Sequence, residues 1–107
     1  DGLVVGTFKS WFANDKEQAT VTFKDGVPDG DFKAWYINGK VAAKGRYIGG
    51  KMNGCWETWH DNGEKESKGT YDDDKKVVTW LYWTPTGTKS KEKLGGTATH
   101  GECLITF

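Results

Sequence analysis

Residues 30–53, GDFKAWYINGKVAAKGRYIGGKMN, and residues 54–77, GCWETWHDNGEKESKGTYDDDKKV, fall into register when the chain is slid against itself by 24 residues. Gly30 lands on Gly54, Phe32 on Trp56, Trp35 on Trp59, Asn38-Gly39 on Asn62-Gly63, Gly45 on Gly69 and Tyr47 on Tyr71. Working outward, residues 6–29 form an upstream copy, residues 78–100 a downstream copy one residue short, and residues 101–107 the opening of a fifth. A fixed period of this length is the signature of a repeat architecture. The whole of 1–107 is therefore expected to be one repeat domain.

Numbered from the first residue of each copy, position 3 is Phe8, Phe32, Trp56 and Trp80, and position 6 is Trp11, Trp35, Trp59 and Trp83. Position 7 is Phe12, Tyr36, His60 and Thr84, with Phe107 in the partial copy; position 18 is Phe23, Tyr47 and Tyr71, with Leu94 in the short copy. Of the 6 Trp, 4 Tyr and 5 Phe, Tyr82 alone falls elsewhere. A core built at these positions is made of rings, since Leu, Ile, Val and Phe together supply under a fifth of the chain.

Each copy reads as a β-hairpin. Asn38-Gly39 and Asn62-Gly63, with Asn14-Asp15 and Thr86-Gly87 in the same slot, supply residues that accept positive φ in a tight turn. Asp25-Gly26, Gly49-Gly50 and Asp73-Asp74 turn the chain into the next copy. No stretch sustains a 3.6-residue apolar period, so no helix is expected. The expected fold is all-β: an elongated, single-sheet antiparallel meander of eight or nine strands.

The unit G-x-[F/W]-x-x-W-[Y/H]-x-N-G-[K/E], followed by K-G-x-Y and a glycine-containing turn, resembles MORN repeats, and more closely the longer bacterial variant of the YwqK antitoxin family. The match is best at Trp35-Tyr36-Ile37-Asn38-Gly39-Lys40 and at Lys68-Gly69-Thr70-Tyr71. Copy 1 departs with Val21 where Gly45 and Gly69 stand, and copy 4 lacks the Gly and Tyr of its second strand, as terminal caps of repeat arrays do. The resemblance implies a stack of hairpins acting as a scaffold or binding surface, and it raises toxin neutralisation as one role.

Strand alternation separates two faces. With a two-residue loop at positions 9 and 10, position 3 lies opposite position 16. Gly45 then faces Phe32 and Gly69 faces Trp56, and position 18 joins them. Phe8, Phe32, Trp56, Trp80, Phe23, Tyr47 and Tyr71 are the expected structural core, where truncation to Ala costs about 3–5 kcal/mol if burial is complete. On the opposite face Trp11, Trp35, Trp59 and Trp83 are expected beside Gln18, Ala42, Glu66 and Ser90, in a column spaced about 10 Å apart. Two readings stand for that column: burial by curvature of the sheet, or a binding surface rimmed by Lys and Glu.

Lys+Arg and Asp+Glu balance at 15 each and are interspersed, which argues against nucleic acid or an acidic membrane as partner. No apolar run reaches the length of a membrane span. Cys55 and His60 differ in parity and do not form a catalytic pair, and Asp72-Asp73-Asp74 reads as a solvated turn rather than a Ca²⁺ loop. No catalytic constellation, metal set or cofactor motif is present, so no enzyme is expected. The expected function is a non-enzymatic module for protein–protein interaction or scaffolding, with an antitoxin role and glycan binding along the Trp ladder as alternatives. A first residue other than Met and the low aliphatic content point to a bacterial envelope or secreted setting.

Two geometric expectations follow from the stack. Cys55 and Cys103, two copies apart, should lie about 19 Å from each other and remain unbridged. Gly101–Phe107 should form an open apolar edge that needs cover: further repeats, self-association with a second copy, or the chain folding back.

Overall fold

The computed structural model describes residues 6–103. Eight strands, β1 (Gly6–Trp11), β2 (Glu17–Lys24), β3 (Val27–Trp35), β4 (Val41–Ile48), β5 (Lys51–Trp59), β6 (Lys65–Asp72), β7 (Lys75–Trp83) and β8 (Lys89–Gly95), form one antiparallel sheet in which each pairs with its chain neighbours. No helix occurs among the described residues. The molecule is a slab of 46 × 35 × 15 Å, the thickness of a single sheet with its side chains.

The turns between copies fall where expected, whereas the loop within a copy is one residue longer than the two assumed. The two-residue turns join successive copies: Asp25-Gly26, Gly49-Gly50 and Asp73-Asp74 each hold two positive φ values, as a type I′ turn requires. Within a copy the loop has three residues. Gly39 N–H donates to Tyr36 O at 2.9 Å and Tyr36 N–H to Lys40 O at 2.8 Å, and of Asn38 and Gly39 only the glycine has positive φ. Asn38 instead accepts Lys40 N–H on its side chain at 2.9 Å and donates to Asp61 O in the next loop at 2.8 Å. The same closure recurs at Phe12–Lys16, His60–Glu64 and Thr84–Thr88.

A three-residue loop would slip the register by one, yet Phe32 does face Gly45 and Trp56 does face Gly69. A β-bulge beside positions 5 and 6 restores the missing residue in copies 1 to 3. In consequence Trp11, Trp35, Trp59 and Trp83 pair with Glu17, Val41, Lys65 and Lys89, one residue from the expected partners. The short copy 4 lacks that bulge: Tyr82 pairs with Ser90 directly after Trp83 with Lys89. Its irregularity falls at Val78/Thr79, so Val78 pairs with Gly95 and Leu94 is 43% exposed rather than filling position 18.

The ring ladder forms on the expected face, with one correction to its geometry. The ring that lies on Gly45 is Trp56, from the following strand, and the ring on Gly69 is Trp80. Each indole N–H then reaches a carbonyl beyond its glycine: Trp56 donates to Arg46 O at 3.1 Å and Trp80 to Thr70 O at 3.0 Å. Trp56 stacks on Phe32 and meets Tyr47 and Tyr71 edge-on; Tyr71 meets Trp80, which stacks on Tyr82. Trp56 and Trp80 are buried, Phe32, Phe23, Tyr47 and Tyr71 are half-buried, and Phe8 is 47% exposed. Among the described residues Phe8 lies on a strand with a neighbour on one side, and the one ring it meets is Phe23.

Polar side chains fasten copy to copy. Asn53, fully buried, accepts Asp73 N–H at 2.9 Å and donates to Asp73 Oδ1 at 3.0 Å; Asp29, at the same position of copy 1, accepts Gly49 N–H. Tyr36 Oη donates to Trp59 O at 2.5 Å, and His60 in the same slot places Nε2 2.8 Å from Trp83 O.

Val78 occupies the position held by Gly6, Gly30 and Gly54 and shares their positive φ, at 65°. A β-branched residue there stores strain of about 1–3 kcal/mol. Val78→Gly is expected to raise stability by about 1 kcal/mol after the entropy cost of glycine, read as a Tm rise of about 4 °C or more. A lower Tm would show that the valine side chain contributes more than its backbone costs.

The C-terminal segment overturns the spacing argument: Cys55 and Cys103 form a disulfide, with Cα atoms 4.7 Å apart. Gly101–Cys103 is not a ninth strand. After β8 the positive-φ pair Gly95-Gly96 turns the chain back over the sheet. It passes Val77 at Gly96 and Asp72 at Thr99, passes Gly54 at His100, and ends on Thr70, whose Oγ1 accepts Cys103 N–H at 2.9 Å. Counting strands between the cysteines assumed that the meander continued. Of the three covers expected for the terminal edge, folding back describes residues up to Cys103; Leu104, Ile105, Thr106 and Phe107 lie outside the described residues. The last strand, β8, exposes Lys89, Lys91 and Lys93, charges that discourage edge-to-edge pairing.

Candidate interaction face

The face opposite the ring ladder carries the tryptophans of position 6. Trp11 is 56% exposed, and Trp35, Trp59 and Trp83 are half-buried, so neither full burial nor a fully open column describes them. At Trp35 and Trp83 lysines contribute to this cover. Lys33 Nζ lies 5.2 Å from the Trp35 ring centre, and Lys65 and Lys89 lie 5.9 and 5.6 Å from that of Trp83. Such contacts are worth about 0.5–1 kcal/mol at exposed sites. Beside Trp35 a shallow hollow of about 270 Å³ is lined by Lys16, Glu17 and Gly39.

A second row runs beside the tryptophans; its Lys and Glu were expected as a rim, but not its continuity across the strands. Lys9 faces Thr20, Thr20 faces Lys33, Lys33 faces Lys44, Lys44 faces Glu57, Glu57 faces Lys68, Lys68 faces Leu81, and Leu81 faces Lys91. The overall charge balance conceals this line of five lysines and one glutamate. Positions 4 and 15 read separately would have shown it, because Lys9, Lys33, Lys44 and Lys68 all stand there. A hollow of about 300 Å³ opens at its centre, lined by Thr20, Asp31, Phe32, Lys33, Lys44 and Gly45.

The strap formed by residues 96–103 covers the far end of the same face, where Cys55 and Thr70 stand opposite each other on β5 and β6. Leu81 is 2% exposed. The acidic turn serves structure. Asp72 Oδ1 accepts Thr99 Oγ1–H at 2.5 Å, and Asp74 Oδ1 accepts Met52 N–H at 2.7 Å. The Thr99 hydrogen bonds hold the Asp72 carboxyl below its ordinary range. No cluster of three metal-ligating side chains occurs among the described residues.

Comparison with known proteins agrees with the repeat unit. Residues 52–73 match the family model of a MORN repeat variant, a stretch that begins at the start of β5, crosses β6 and ends in the Asp73-Asp74 turn. No curated protein and no solved structure matches the chain. The chain is an all-β meander of hairpins with a MORN repeat variant at its centre, a type of unit associated with interaction modules.

Proposed function

We propose that this chain is a non-enzymatic protein-interaction module that engages its partner through the Trp11–Trp35–Trp59–Trp83 face. The observation that carries this reading is the asymmetry of the two faces. One is closed by its own ring ladder, while the other repeats a half-exposed indole in each of its four hairpins and, among the described residues, has only a short strap above it. Indole rings among charged side chains are favoured anchors at protein interfaces. The disulfide favours an oxidising compartment and supports an envelope or secreted setting.

The test separates the two faces. Trp35→Ala with Trp59→Ala should leave the Tm within a few degrees of wild type while weakening recovery of the native partner from host extract by tenfold or more. Trp56→Ala should instead lose about 3–5 kcal/mol of stability, because that ring is buried in the ladder. If the Trp35/Trp59 variant unfolds as readily as Trp56→Ala, the column is structural and the reading is wrong.

A further inference from the structure

We propose that the lysine row, centred on Lys33 and Lys44, is the docking line for an extended acidic polypeptide segment. This deepens the function proposed above by naming the chemistry of the partner. Lys33 and Lys44 are direct cross-strand neighbours. Like charges so placed repel one another and contribute nothing to the sheet. Neither has an acidic side chain within ion-pair distance among the described residues, and the same holds for Lys68. The glutamate in the row is already answered: Glu57 pairs with Lys65 at 3.4 Å. Lys9 pairs with Glu17 at 3.8 Å, at the outer end of the row. The uncompensated charge is thus concentrated at the centre of the face, at the mouth of the 300 Å³ hollow, where the Thr20 hydroxyl adds a hydrogen-bonding group.

The side chains of this face also select among anions. A sugar chain stacks its apolar faces on open aromatic rings, but Lys33, Lys65 and Lys89 already sit over Trp35 and Trp83. A nucleic acid presents a phosphate at every nucleotide, and Asp31 in the hollow and Glu57 in the row would repel such a dense polyanion. In a polypeptide the carboxylates can be spaced so that they fall on the lysines and away from Asp31 and Glu57. Its acids reach Lys33, Lys44 and Lys68, and its apolar side chains meet the exposed Trp11 and the half-exposed Trp59. The two rows run about 7 Å apart, since positions 4 and 6 are two residues apart along a strand. A carboxylate set between Lys33 and Lys44 also relieves their repulsion, so the charge pair weakens the free sheet and favours the complex.

The experiment uses the intact, oxidised chain and two labelled synthetic peptides, one alternating Glu and Phe and one with Gln in place of Glu, titrated by fluorescence anisotropy. Single-stranded DNA, a neutral and a sulfated polysaccharide, and vesicles of acidic phospholipid are titrated alongside. The Glu peptide should bind at least tenfold tighter than the Gln peptide and weaken as salt rises. Lys33→Gln with Lys44→Gln should lower its affinity about tenfold while leaving the Tm unchanged or slightly raised. Equal binding of the two peptides, or an undiminished affinity in the double variant, overturns the acidic-partner inference. So does tighter binding of DNA, polysaccharide or vesicles through the same lysines. Trp35→Ala decides the underlying reading separately. If it lowers peptide affinity while the lysine variant does not, the interaction face stands and only its charge preference falls.

Discussion

Gly45→Ala is expected to destabilise the protein by about 3 kcal/mol, the upper end of what overpacking a core costs and out of proportion to the single methyl group added. A Cβ at Gly45 would meet Trp56 ring atoms at 2.0, 2.2 and 2.4 Å, and Gly69 stands in the same relation to Trp80. The indole cannot step aside. Phe32 lies against one face, Tyr47 and Tyr71 meet it edge-on, and its N–H is committed to Arg46 O and Asn53 O. Gly39→Ala is the control: that glycine has φ of 88° and only Lys16 Nζ within 4 Å, so the loss there is the left-handed penalty of about 1–2 kcal/mol. The chain itself supplies the compensating change. In copy 1 position 16 is Val21, and the residue paired with it from copy 2 is Phe32 rather than Trp. Gly45→Val combined with Trp56→Phe should therefore recover part of what Gly45→Val alone loses, with a coupling of at least about 1 kcal/mol in a double-mutant cycle. Chemical denaturation followed by Trp fluorescence measures all of these. A loss under 1 kcal/mol for Gly45→Ala, or strict additivity in the cycle, would mean that ring and glycine are not interlocked.

That interlock shows what the sequence could and could not convey. The 24-residue spacing of Gly30 and Gly54 and the alternation of Phe32, Ala34 and Tyr36 were enough for the strand order and for the face of the ladder. The pairing of position 3 with position 16 was legible too, although the assumed turn was wrong. A three-residue loop and a bulge shift the register in opposite senses, and their effects cancel over most of the strand. The displacement remains only next to the loop, where Trp35 sits beside Val41 and not Ala42. Which ring covers Gly45 depended on the neighbouring copy, so a reading confined to one hairpin chose Phe32 over Trp56. The continuity of the lysine row escaped notice for a related reason. Charge was tallied along the chain, whereas the row runs across the strands and appears only when facing positions are tallied by pair. The return of the chain after Gly95-Gly96 carries no periodic signal at all. At residues 101–103 the match to the start of a repeat pointed the wrong way, because Gly101 and Cys103 stand where a further strand would begin.

Loss of the Cys55–Cys103 bridge is the second change expected to have a large effect. The bridge closes a loop with a sequence separation of 48 residues, for which chain-entropy arguments give a stabilisation of about 4 kcal/mol. Cys55→Ser, or reduction of the wild type, should lower stability by about 2–4 kcal/mol and release the strap first, because little else holds it. Cys103 N–H donates to Thr70 Oγ1, and Thr99 N–H and Oγ1–H donate to Asp72. These contacts respond differently to pH. The Asp72 carboxyl is held below its ordinary value near 3.8 by the Thr99 hydrogen bonds, with His100 and Lys75 adding to the effect. Its contribution is therefore complete above that value and disappears as pH falls through the lowered one. In the oxidised protein acidification should leave the strap in place, since the covalent link persists. In Cys55→Ser, Thr99 should retain some amide protection at neutral pH and lose it on acidification, while Cys103 loses protection at both. The ring ladder between Phe32 and Tyr71 should keep its near-UV circular dichroism, because the strap lies on the opposite face. Amide exchange by NMR on the oxidised and Cys55→Ser proteins reads each of these directly. Unchanged protection at Cys103 in Cys55→Ser would show that the strap is held by its packing on Thr70 and not by the bridge. Loss of the ladder signal along with the strap would show that the two faces fold as one unit.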